Sequence, residues 1–78
     1  MSESLEKDVE EMLIKILVDH RGGLTFEELR DHLEVSGYYI DGLILRKIVA
    51  RLILNNTVCK VPSKEKKKLL LVLCREDV

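Results

Sequence analysis

Between Gly42 and Arg75 the chain carries nine basic residues and one acid, Glu65. Seven of them fall into two groups: Arg46, Lys47 and Arg51 within an apolar stretch, and Lys64, Lys66, Lys67 and Lys68 within a polar one. The net charge of −1 conceals this. Residues 1–34 hold four basic and ten acidic groups, net −6, while residues 35–78 hold nine and four, net +5. One half of the sequence is therefore an anion-seeking surface and the other is not. No other chemistry is patterned. His20 and His32 have no Ser, Cys or carboxylate arranged around them, each reads as an isolated surface histidine, and the glycines are explained by helix ends, so no enzyme is expected. Cys59 and Cys74 are too few and too far apart for a zinc site, and no cofactor is expected. In a reducing cytosol they read as small buried hydrophobes, a disulfide being open to them only if two strands set them opposite each other.

The elements that must position the basic groups are legible from periodicity. Residues 38–55 read as one helix, with Leu45, Ile48, Val49 and Leu52 on one continuous face and Lys47, Arg51 and Asn55 on the other. Ahead of it, residues 5–20 form an amphipathic helix through Leu5, Val9, Met12, Leu13, Ile16 and Leu17, with Ser4 as N-cap, acids in its first turns and Gly22-Gly23 as its stop. Leu24 reads as a strand stub. Thr25 to Glu28 is a capping box opening a second helix over residues 25–34, which turns inward Leu33 and either Phe26 or Leu29. Ser36-Gly37 turns the chain into the third helix, and Asn55-Asn56 ends it. Residues 58–74 then form a hairpin around the turn Ser63 to Lys66, with Pro62 confined to an edge or to the turn.

Seventy-eight residues make one small domain, and a hydrophobic fraction of 46% suffices for a core. With three aromatics, that core must come from Leu, Ile and Val. The mix of many Lys and Glu, few aromatics and β-branched apolar residues resembles hyperthermophile usage, by composition alone. An acidic N-terminus and the lack of any apolar run near a membrane span's length point to a cytoplasmic protein with no membrane partner.

The order helix, stub, helix, turn, helix, strand, loop, strand resembles the winged helix-turn-helix family, an α+β fold of three helices and a C-terminal β-hairpin wing. The resemblance rests on GGLTFEELRDHL for the stub and second helix, SGYYIDGLILRKIVARLILNN for the turn and third helix, and TVCKVPSKEKKKLLLVL for the wing. It covers nearly the whole chain, as a pattern of elements rather than a run of identities. It implies that the third helix enters the major groove of double-stranded DNA, with Arg46, Lys47 and Arg51 meeting bases or phosphates. The wing lysines Lys64, Lys66, Lys67 and Lys68 would reach the backbone, and Ser36, Tyr38 and Tyr39 would add contacts at the helix entrance. The physical chemistry agrees: lysines in a loop bind phosphate by counterion release, and an arginine on a groove-facing helix can grip guanine by two hydrogen bonds. A DNA-binding transcriptional regulator follows, as a homodimer whose surfaces include Ile14, Val18 and the final strand.

Two other readings stand beside this one. A KEKKK run at a hairpin tip also serves as a solvated turn that keeps a sheet edge from aggregating. Ile40 and Ile44 fall among the polar residues of the third helix, and Leu43 and Leu54 flank them. Exposed apolar side chains there suggest a protein partner, since winged-helix domains also act as interaction modules.

Overall fold

Local chemistry sets the helix boundaries. The structure, a computed structural model, describes residues 3–74. It has an α+β architecture in the order α1 (Glu3–Asp19), α2 (Phe26–Val35), α3 (Gly42–Leu54), β1 (Val58–Ser63) and β2 (Lys68–Leu73). The capping box forms as the sequence predicts: the Thr25 hydroxyl accepts from the Glu28 amide at 3.2 Å, and the Glu28 carboxylate accepts from the Thr25 amide at 3.0 Å. Beyond the C-cap of α2, Gly37 stops the helix with a φ of +98° that few side chains tolerate. The Gly37 amide donates to the Glu34 carbonyl and the Tyr38 amide to the Leu33 carbonyl, which satisfies two carbonyls of the last turn. Asn56, at φ +65°, does the same for α3, with bonds from Asn56 to Ile53 and from Thr57 to Leu52.

Two helix starts differ from expectation. The first helix already begins at Glu3, so Ser4 lies inside it rather than capping it. The third begins at Gly42, not near residue 38, because Asp41 caps it: the Asp41 carboxylate accepts from the Leu43 amide at 2.8 Å. The segment Tyr38 to Ile40 is irregular, and it turns Ile40 into the core, 7% exposed. Ile40 therefore cannot serve as a partner contact.

The strands pair antiparallel, Val58 opposite Leu73 through Ser63 opposite Lys68. Leu24 adds a rung on the far side of β2, exchanging two backbone hydrogen bonds with Leu71, so the expected stub forms. Gly23 makes this approach possible. A Cβ there would lie 2.7 Å from the Val72 side chain, and its φ is +97°. Pro62 sits on β1, which has β2 on one side and an open edge on the other.

The core is aliphatic, as the composition requires. Val9, Leu13 and Leu17 of α1 meet Leu29 and Leu33 of α2 and Leu45, Ile48 and Leu52 of α3, with Val58 and Leu71 closing it from the hairpin. Each fully buried Leu or Ile contributes about 1.5–3 kcal/mol.

The cysteines depart from expectation. Cys59 and Cys74 form a disulfide, with Cα atoms 5.1 Å apart, and both are half-buried rather than buried as free thiols. Cys59 lies opposite Val72, so the bridge is diagonal, running to the residue two positions beyond. Both side chains project from the same face of the hairpin. The bridge joins residues 15 positions apart in sequence. Arg75 to Val78, expected to form a charged tail, lie outside the described residues.

Candidate nucleic-acid interface

The exposed side of α3 follows from its buried stripe. At about 100° per residue, Leu43, Lys47, Ala50 and Leu54 fall within a sector of about 60° opposite Leu45, Ile48, Val49 and Leu52. All four are exposed, Leu43 at 76% and Leu54 at 84%. Arg46 and Arg51 lie about 70° to either side of that ridge, and each is held by a different neighbour.

Arg51 turns towards α1. Its Nη2 stands 3.3 Å from Glu6 Oε1 and 3.4 Å from Glu10 Oε2. Arg46 turns the other way, and its guanidinium stacks 4.4 Å from the centre of the Phe26 ring. It lines a groove of about 290 Å³ between α3 and the hairpin, floored by Phe26, Val49, Ile53 and Leu71. Lys60 joins Arg46 in this groove. Lys60 was missed in reading the sequence, although strand alternation carried the signal: it shares a sheet face with Val58, which is buried against the helices.

The hairpin lysines also divide. Lys66 Nζ lies 2.7 Å from Glu28 Oε2, and Lys68 Nζ lies 3.7 Å from Glu27 Oε1. The hydrogen bond from Lys66, with that from the Thr25 amide, holds the Glu28 carboxyl below the usual glutamate range. These two lysines thus face the acidic start of α2. Lys64 and Lys67 are exposed in the turn, where Lys67 takes φ +53° and the Ser63 oxygens bind the amides of Lys66 and Lys67. Among the described residues, Arg46, Lys47, Lys60, Lys64 and Lys67 have no carboxylate partner.

The remaining candidates scatter. Ser36 is the exposed C-cap of α2. Tyr38 packs half-buried on the core, whereas Tyr39 is 79% exposed just ahead of α3. Ile44 packs against the core. Ile14 is half-buried, and Val18 is exposed beside a groove of about 220 Å³ that it shares with Leu17, Arg21, Leu73 and Cys74. His20 and His32 are not isolated surface residues. Their rings meet with centres 4.5 Å apart at a tilt of 54°, and His20 Nδ1 bonds the Ile16 carbonyl at 2.9 Å. Among the described residues no group of three potential ligands could hold a metal ion, and no helix is long and apolar enough to cross a membrane.

No protein-family model matches this chain, and comparison with curated proteins and with solved structures found no significant similarity. The functional reading therefore rests on residues and geometry.

Proposed function

We propose that this chain is a winged helix-turn-helix protein that binds double-stranded DNA through α3 and the hairpin, in the manner of a transcriptional regulator. The arrangement of helices is compatible with that fold, α2 and α3 forming the helix-turn-helix and the hairpin the wing. The observation that carries the reading is the set Arg46, Lys47, Lys60, Lys64 and Lys67. Lys7, Lys15 and Arg21 also lack a carboxylate partner among the described residues but sit in the acidic first half of the chain, whereas these five all belong to α3 and the hairpin; Lys66, Lys68 and Arg51 are balanced by acids of α1 and α2. Such a set attracts phosphate and releases counterions on binding. Exposed ion pairs are worth only about 0–1 kcal/mol, so Lys66 and Lys68 can exchange their glutamates for phosphates at small cost. Titration of mixed-sequence duplex DNA across a salt series tests this. Binding that weakens by a log–log slope of roughly three to five, for that number of neutralised phosphates, is the expected result. No binding at low salt would overturn it.

A second reading has its own observation. Leu43, Leu54 and Tyr39 are each more than three-quarters exposed on or beside α3, as a protein contact would be. Capture of a defined partner that survives loss of the hairpin lysines and fails on Leu43→Asp would favour it over DNA. A homodimer, if formed, retains Val18 and the end of β2 as its surface and loses Ile40. A cytoplasmic location belongs to the same proposal.

A further inference from the structure

The side of α3 that would enter a groove lacks the groups that read bases. Direct readout of the major groove uses side chains that offer two hydrogen bonds in a plane, such as Arg to guanine or Asn and Gln to adenine. The outward ridge of α3 is Leu43, Lys47, Ala50 and Leu54, so a single side chain in four can hydrogen-bond at all. The two arginines that could supply paired donors face elsewhere. Arg46 lies against Phe26 and opens into the groove beside the hairpin, and Arg51 lies between two carboxylates. Moving Arg51 to a base would leave Glu6 and Glu10 unpaired close to the phosphates. The unneutralised cations of α3 and the hairpin are suited to phosphates instead: Arg46 and Lys60 share one groove, and Lys64 and Lys67 are exposed in the hairpin turn. Lysine ammoniums meet phosphates as point charges and carry no sequence information.

We infer that this face holds duplex DNA by its phosphate backbone with little discrimination between base sequences, so that the chain coats or shapes DNA rather than selecting an operator. The inference rests on the duplex-binding part of that proposal and replaces its operator-selecting, transcriptional-regulator part. What discrimination remains comes from apolar contact of Leu43, Ala50 and Leu54 with thymine methyl groups, which favours A·T over G·C weakly.

The test takes the full chain with three 24-base-pair duplexes, one all A·T, one all G·C and one mixed, alongside repeated selection from a random duplex pool. Affinities within about threefold of one another, equal salt slopes and no enriched consensus are the expected results. Lys47→Ala should weaken all three duplexes by the same factor and lower each slope by about one. A consensus preferred by more than tenfold would overturn the inference while leaving the duplex-binding proposal standing. So would a Lys47→Ala loss confined to the G·C duplex. Failure to bind any of the three at low salt would overturn both.

Discussion

The two sides of α3 are built from the same kinds of residue and have opposite fates. Leu45 and Leu52 on one side are at most 1% exposed, while Leu43 and Leu54 on the other exceed 75%. The inner leucines hold α1, α2 and the hairpin around the helix. The outer ones form a ridge on which Lys47 is the single hydrogen-bonding group. Residue type alone does not separate the two sets, and helical phase does. The cations make the same point. Lys47 and Arg51 sit one turn apart, yet Arg51 is taken by α1 and Lys47 faces no carboxylate among the described residues.

The sharpest test of the two faces is stability. Leu45→Ala should cost about 2–5 kcal/mol in denaturant unfolding, since it empties a fully buried site. That is a large share of the total for a chain of this size. Leu43→Ala should stay within about 0.5 kcal/mol. A comparable cost at Leu43 would show that the ridge is covered by something, in contrast to its exposure here.

The next largest effect concerns the hairpin. Reduction of Cys59–Cys74, or the double change to Ser, should lower stability by about 3 kcal/mol for a closed loop of this length. Thermal unfolding with and without reductant measures it. Unchanged stability would mean that the bridge does not restrain the unfolded chain. The bridge also bears on where the protein works. Disulfides are rare in a reducing cytosol, intracellular proteins of hyperthermophiles being the exception, so the bridge runs against the cytoplasmic location expected from the sequence.

Within α3, Lys47→Ala should weaken duplex binding several-fold, whereas Arg51→Ala should weaken it less, because its charge is already offset by Glu6 and Glu10. Fluorescence titration at two salt concentrations ranks them. The reverse order would place the DNA against the α1 side of the helix.

The smallest effect is electrostatic. Glu28 is held below its ordinary range by Lys66 and the Thr25 amide, so its contribution to stability is fully present above the pKa it has in the unfolded chain. It is lost as the pH falls through the lower folded value. Glu28→Gln should therefore be less stable than the parent at neutral pH, and the difference should close in acid. Unfolding followed from pH 7 down to about pH 3, below the unfolded glutamate pKa of about 4.3, shows whether it does.

Much of this molecule is legible without coordinates because the relevant chemistry is local. The capping box of Thr25 and Glu28, the turn at Ser36-Gly37, the stop at Asn56 and the buried stripe of α3 each depend on residues close in sequence, and each forms as read; the stub at Leu24 also forms, but against Leu71 far along the chain. Ile40 was misplaced because Tyr38 and Tyr39 fit a helical period, and the period does not reveal that the Asp41 cap starts the helix after them. What tertiary structure alone decided is which opposite charges and which sulfurs meet. Arg51 finds Glu6 and Glu10 across more than forty positions, Lys66 finds Glu28 across 38, and Cys59 finds Cys74 on a diagonal of the hairpin. A long charged side chain has many acceptable partners and little to choose between them energetically. Its choice follows from where packing of the aliphatic core has already carried the backbone.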